Sequence, residues 1–318
     1  MRAPWWWARD GLLPRLLDPF GRLYAMATAR RVKRPGWRAP VPVICIGNAS
    51  AGGTGKTTVA LDIAARLAAR GATPGVLTRG YGGSGDVRRV EPRKDTAAEV
   101  GDEPLLLAAT APTYIGADRV ASAQLAVDWG ARSLVMDDGL QNPGLIKDLA
   151  FLVIDGAAGF GNGRVIPAGP LRETAAVAAA RCQAAIIIGE DVHNVAAHLT
   201  IPVLRARLRS PEEVKGRRLY AFAGIGRPEK FFAGLTDAGA ELAGTRGFPD
   251  HHRYTTREFE AVLAEASRRG AEAATTPKDA ARLSPAQRAR VRVVGVSLDW
   301  QDPAGLDALL AFVVRRTQ

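Results

Sequence analysis

The sequence predicts an α/β fold in two parts, a larger domain on a parallel sheet and a smaller α/β domain after it. Three observations carry that reading. The apolar run "VPVICIG" (41–47) leads into the glycine-rich "GNASAGGTGKTT" (47–58) and then "TTVALDIAARLAARG" (57–71), which is strand, turn and helix in order. Two later apolar runs, "RSLVMDDG" (132–139) and "LAFLVIDG" (149–156), read as short strands that end in acids. Beyond residue 200 the alternation of strand and helix restarts across a charged stretch, 210–218.

Each element has a local reason. In the first part, "ATPGVL" (72–77) is a further strand, closed by the glycine-rich "TRGYGG" (78–83). In the second part, "IPVLRARLR" (201–209) alternates and "RLYAFAGIG" (218–226) is an apolar strand. A helix, "RPEKFFAGLTDAG" (227–239), and a strand, "AELAGTRGF" (240–248), come next. "TTREFEAVLAEASRRG" (255–270) opens on a capping Thr and stops at Gly270. "VRVVGVSLDW" (291–300) reads as one late strand before the amphipathic helix "GLDALLAFVVRR" (305–316).

Composition narrows the class. At 318 residues and 47% hydrophobic content the chain can bury a sizeable core, which excludes a disordered protein. Its two cysteines, Cys45 and Cys182, sit in apolar runs and offer neither a disulfide framework nor zinc spacing. A net charge of +11 suits a polyanionic partner: nucleotide, nucleic acid or anionic membrane. Five of the basic residues lie in "RRVKRPGWR" (30–38), at the end of an unusual opening segment.

That opening, "PWWWARDGLLPRLLDPFGRLYAMATARR", is too charged to span a bilayer and lacks a secretion-signal pattern. Leu13, Leu16, Leu17, Phe20, Leu23 and Tyr24 recur at helical spacing, while Pro14 and Pro19 are expected to split the segment into short pieces. Two readings stand: a helix docked on the protein's own core, or an interfacial segment. Trp5, Trp6 and Trp7, with the basic run downstream, favour an anionic membrane surface. No interleaved aromatic pattern suggests a nucleic-acid groove.

The glycine-rich turn has the strand–loop–helix context of a phosphate loop. The backbone of Ser50, Ala51, Gly52, Gly53, Thr54 and Gly55 would cradle phosphates, Lys56 would reach the outer ones, and Thr57, followed by Thr58, would face Mg²⁺. Ser50 stands where the general pattern has glycine. Asp137 and Asp138, at a strand end, suit the metal ligands of such machinery, or a turn and helix cap; Asp155 leaves the same choice open. Asp102 and Glu103 in "VGDEP" could open a helix as ordinary N-terminal acids. Arg79, Tyr81, Arg164 and Arg172 lie in Gly/Pro-rich loops that suit anion contacts or solvent equally. His251 and His252 in "FPDHHRYT" make a weak metal pair; one of them meeting a carboxylate across a cleft is the alternative.

Together these residues resemble one family, the tetraacyldisaccharide 4'-kinases. The likeness runs in order through "GNASAGGTGKTT", "LTRGYGG", "VGDEPLLLA", "DDGLQN", "GFGNGRVIPAGPLRE", "AFAGIGRPEKFF", "FPDHHRYT" and "TTPKDAARL", nearly the whole chain. One departure is Asn142, where that family usually has histidine. The resemblance implies a P-loop domain, nucleoside-triphosphate-hydrolase-like, joined by a two-stranded β linker to a smaller α/β domain. The expected divisions are residues 1–36 on the membrane, 37–208 for the kinase domain, 209–217 for the linker and 218–318 for the smaller domain. ATP with Mg²⁺ would donate, and the 4'-hydroxyl of a tetraacylated glucosamine disaccharide 1-phosphate would accept. Asp102 is then expected to be the catalytic base with His251 its partner. Lys56 and Thr57 would hold triphosphate and metal beside Asp137 and Asp138, with Arg79, Tyr81 and Arg172 toward substrate.

The implied setting is the cytoplasmic face of a bacterial inner membrane, with peripheral attachment and neither nucleic acid nor an obligate protein partner. Two other classes compete: a P-loop ATPase switch with water as acceptor, and a membrane-docked nucleotide-binding module without turnover.

Overall fold

The computed structural model describes residues 4–80 and 85–317. The larger body opens with α1 (Leu12–Val32), β1 (Val43–Gly47), α2 (Lys56–Ala69), β2 (Pro74–Thr78) and β3 (Arg88–Arg89). It continues through α3 (Ala97–Val100), α4 (Asp102–Ala108), β4 (Thr113–Ile115), α5 (Arg119–Asp128) and β5 (Ser133–Asp137). β6 (Leu149–Asp155), α6 (Ala175–Ala179), β7 (Ala184–Ile188) and β8 (Val203–Arg209) lead to the second body. That body holds β9 (Arg218–Ala223), α7 (Pro228–Asp237), β10 (Glu241–Gly247) and α8 (Thr256–Arg268). It closes with β11 (Glu272–Thr275), α9 (Pro277–Ala280), α10 (Pro285–Arg288) and β12 (Arg292–Val293), before β13 (Ser297–Trp300) and α11 (Pro303–Thr317).

Among the described residues, nine strands form one sheet in the order β13-β8-β7-β6-β1-β5-β2-β4-β3. Only its edge strands, β13 and β3, run antiparallel to their neighbours. The alternation in β1 explains the two covered faces. Ile44 and Ile46 pack beneath α2 and α11, while Val43 and Cys45 face the α5 and α6 side. β1 lies between β5 and β6, with Ile46 opposite Asp137. An acid is thus set beside the loop that leaves β1, at the carboxyl ends of the strands where ligands of such sheets bind.

The smaller body is a four-stranded parallel sheet, β10-β9-β11-β12, with α7 on one face and α8 on the other. Its extent differs from the expected 218–318. "VRVVGVSLDW" is two strands: β12 completes the small sheet, and β13 pairs antiparallel with β8 on the large one. α11 buries Leu306, Leu310 and Val313 against α2, and Asp307 pairs with Arg66 and Arg70 at 3.2 and 2.7 Å. Period and propensity are the same on either side of Gly295, so only long-range pairing reveals the return. β8 and β13 are the two-stranded connection, and 209–217 holds a short 3-10 turn, Glu212–Val214, after β8.

The opening segment also differs. α1 runs unbroken through both prolines. Pro14 falls in its first turn, where the missing N–H has no intrahelical partner to lose, and Pro19 forfeits a single bond within a long helix. α1 touches the body through small residues: Pro14, Gly21 and Thr28 are buried at seven-residue spacing. A Cβ on Gly21 would lie 2.7 Å from the Val165 carbonyl oxygen. The large apolar residues point the other way, with Leu12 77%, Leu16 63%, Phe20 60% and Leu23 59% exposed.

Candidate active site

The loop after β1 is held by the segment 162–173. Ala51 donates its N–H to the Pro170 carbonyl at 2.7 Å, Arg172 N–H to Ala49 at 2.6 Å, and Ser50 bridges Leu171. Gly55, at φ 85°, starts α2 in the left-handed region that glycine adopts without strain. The first N–H groups of α2 have no intrahelical partners and point into the loop's concavity. Thr54 Oγ1 and Asn48 Oδ1 are buried with no hydrogen-bond partner, as expected of a cradle shaped for a polar ligand.

Behind the loop, Thr57 donates its hydroxyl to Asp137 Oδ2 at 3.1 Å, and Asp137 Oδ1 is buried without a partner. Burial, then the charge of Glu103, pushes the Asp137 carboxyl up to about 7 against the opposing pull of Lys56. A hydroxyl beside an unsatisfied carboxylate oxygen is a donor set that fits a hard divalent cation sharing its remaining positions with phosphate and water. Asp138, at φ 55°, turns toward Lys56 Nζ at 3.8 Å and takes both Arg172 contacts, at 3.0 and 3.1 Å. Burial opposes ionisation there, but Lys56 and Arg172 hold the carboxyl below the usual range. Gln141 ties the turn to Asn48 and to buried Glu173. Asn142 accepts from Gly144 N–H, so its side chain closes the turn.

The second cluster spans the two bodies. Asp102 begins α4, buried, and accepts from His251 Nδ1 at 3.2 Å on Oδ2. Arg282 donates Nε to the same oxygen at 2.9 Å, with its Nη2 closer still. Among the described residues, Oδ1 meets only the N–H of Glu103, at 3.0 Å. Burial raises the Asp102 pKa, yet His251, Lys278 and Arg282 outweigh it and hold the carboxyl well below the usual range. Lys278 pairs with Glu103 at 2.8 Å across the same junction.

Arg282 is braced from within the small body. Its Nη1 donates to the Gly224 carbonyl and to Asp279, and Asp279 accepts from Gly224 N–H, Tyr254 and Thr276. His251 sits at φ 59° on the turn after β10, its N–H bonded to Gly224. His252 faces elsewhere, bonding Glu258 and stacking on Phe248, so the adjacent histidines share no ligand. No group of three or more His, Cys, Asp or Glu suited to a metal occurs among the described residues.

Ser50 to Thr58, Asp137, Asp138 and Arg172 therefore form one cluster, and Asp102 with His251 the other. Arg79 is exposed at the rim, and Tyr81 lies outside the described residues. Sequence reasoning gave no role to Arg282, although it lies in "TTPKDAARL", where Thr276 caps α9 before Pro277. It also passed over Arg119, the first residue of α5, buried with Nε unpartnered; burial and then Arg79 push its pKa down to about 10. Asp155 accepts the Ala157 N–H at 3.1 Å on Oδ1, as a turn residue does, and its other oxygen reaches across to the small body. It pairs with Arg227 and Lys230 of the small body at 2.8 and 2.6 Å.

The comparisons agree with this architecture. The family model for tetraacyldisaccharide-1-P 4'-kinase matches residues 13–315. A tetraacyldisaccharide 4'-kinase of Gluconacetobacter diazotrophicus is 56% identical, over 98% of this chain and 97% of that protein. One from Rhodospirillum centenum is 51% identical, over 98% and 96%. The crystal structure of Aquifex aeolicus LpxK in complex with ATP superposes with a TM-score of 0.78 at 25% identity, covering 95% of this chain and 100% of that one. Matched along nearly its whole length by the family model and by these relatives, this chain belongs to the tetraacyldisaccharide 4'-kinase family.

Proposed function

We propose that the protein transfers the γ-phosphate of ATP to the 4'-hydroxyl of a tetraacylated glucosamine disaccharide 1-phosphate, a step of lipid A synthesis. The observation that carries this is the junction itself: the loop belongs to the larger body, and the Asp102–His251 pair closes only when the smaller body meets it. The loop N–H groups, Lys56, Arg172 and Arg119 neutralise charge on the moving phosphoryl oxygens. Thr57 and Asp137, with Asp138 behind them, would hold Mg²⁺, which supplies further charge neutralisation on the phosphates. Asp102 takes the hydroxyl proton on Oδ1, the oxygen left free by His251 and Arg282. Little basicity is needed where the transition state is largely dissociative, and a carboxylate is the usual acceptor in such transfers. A second assignment rests on one observation: Asp102 is buried and twice engaged, while the His251 side chain is 44% exposed, which suits His251 as base and Asp102 as its orienter.

Incubating the purified protein with γ-labelled ATP and lipids extracted from cells that accumulate the acceptor tests the reaction. Label is expected in the lipid fraction. Label found only in free phosphate points to a switch or ATPase, and no release at all to a binding module.

α1 is read as lying on the cytoplasmic face of the inner membrane, bringing the site to an acylated acceptor that cannot leave the bilayer cheaply, at about 0.8 kcal/mol per exposed CH₂. Among the described residues, no helix is long and apolar enough to cross a membrane. Trp6 and Trp7 donate their indole N–H groups to the Pro167 carbonyl, so they anchor the segment to the body, and Trp5 is left outward with the stripe. Replacing Trp5, Leu16 and Phe20 together with alanine removes about 1 kcal/mol or more apiece and is expected to weaken binding to vesicles containing phosphatidylglycerol roughly 100-fold. Unchanged co-sedimentation would leave the stripe without a membrane role.

A further inference from the structure

A cleft of about 250 Å³ opens where α1 ends, beside the turn that follows Asp138. Its apolar walls are Val32, Leu140, Leu145 and Ile146, and its charged groups are Arg34, Lys147 and Arg181. Among the described residues, only Arg181 of these has a carboxylate partner, Glu173, which it meets through two contacts of 2.7 Å. Lys147 is partly buried, and among the described residues its one hydrogen bond goes to the backbone carbonyl of Asn142. The adjacent acid cannot serve it: Asp148 is engaged by Val43 N–H, Arg38 and Arg316 at 2.9, 3.4 and 2.9 Å. Arg34 stands exposed at the rim with no acidic partner among the described residues.

A partly buried ammonium with no carboxylate partner favours an anion that completes it. Burial lowers the Lys147 pKa, with the Cys45 thiol opposing and Arg181 adding to the shift. The position of the cleft suggests the anion's source. It follows the last turn of α1, where Arg30 and Arg31 precede Val32, so it continues the basic end of a helix whose apolar stripe faces outward. Cationic walls with an apolar lining suit a charged group that carries a hydrocarbon stem.

We propose that this cleft binds the phosphate ester of an anionic phospholipid headgroup, with Lys147 and Arg181 on its oxygens and Arg34 closing the rim. The site rests on these residues alone. Only the choice of a membrane lipid over free phosphate rests on the reading of α1 as bilayer-bound.

The test uses the full chain without turnover. Binding of inorganic phosphate and of dihexanoyl phosphatidylglycerol, kept below its micelle concentration, is measured by ³¹P NMR line broadening, with dihexanoyl phosphatidylcholine as control. The phosphatidylglycerol probe is expected to bind in preference to both others, and Lys147→Met and Arg34→Ser should each weaken it about tenfold, the loss of one charge-assisted contact. ATP affinity should stay unchanged in both. Lys147→Met removes a partly buried charge that has no carboxylate partner and should keep or raise the melting temperature; should it fail to fold, exposed Arg34→Ser carries the test. Equal binding of phosphatidylglycerol by wild type and variants would overturn the site. Phosphate binding as tightly as the lipid probe, and falling with it in the variants, would overturn the lipid source. None of these outcomes depends on whether the kinase reaction is confirmed.

Discussion

Lys56→Ala is expected to lower kcat by about 10³-fold while the protein stays folded, because an electrostatic donor aimed at developing charge contributes roughly 3–4 kcal/mol in a water-poor site. The ammonium lies 3.8 Å from Asp138 and is mostly buried, so it is placed by the loop and not by solvent. Its removal leaves Asp138 with both Arg172 contacts, which keeps the acidic turn in place. ATP affinity should fall less than turnover, since the N–H groups of the loop and the start of α2 remain. Single-turnover kinetics with saturating ATP separate the two effects. A kcat within threefold of wild type would remove Lys56 from the transition state.

How much of this was readable beforehand follows the range of the forces involved. The loop, the strands around it and the capped α8 are local patterns, so period and turn chemistry located them. The exposed stripe on α1 was visible as a stripe, but its direction was not. Burial falls on Pro14, Gly21 and Thr28 instead, because small residues let the helix approach Val165. The return of β13 to β8 depends on pairing about ninety positions apart, beyond any window. The charged residues were hardest. Arg282, Arg119 and Lys147 look like ordinary surface cations in one dimension, and only the folded chain buries the first two and partly covers the third. Asp102 and His251 were paired through family likeness; spacing alone left one an ordinary helix-opening acid and the other a loop residue.

Asp102→Asn is expected to cut turnover at saturating ATP by about 10³–10⁴-fold, the upper range for a positioned proton acceptor. The amide keeps the shape of the carboxyl, so ATP affinity should change little. The substitution does leave the Arg282 guanidinium with Asp279 as its one remaining carboxylate partner, which lowers stability by up to about 3–5 kcal/mol as for a broken buried pair. Activity must therefore be measured well below the melting transition. His251→Ala should cost less, about 10–100-fold. The pH profile discriminates the two roles. The folded carboxyl is held below its free value, so Asp102 stays ionised, and its stabilising contribution stays present, above about pH 4; both are lost only as pH falls through the lower folded pKa. If Asp102 is the base, kcat at saturating Mg²⁺, which would keep the Asp137 carboxyl ionised, should be flat from pH 8 down to about pH 5, with the limit of folding reached below that. If His251 is the base, kcat should instead lose that flat profile on the acid side of neutrality, and His251→Ala should cost at least as much as Asp102→Asn. That second pattern would move the proton to the histidine and leave Asp102, fixed by Arg282, as the group that orients it.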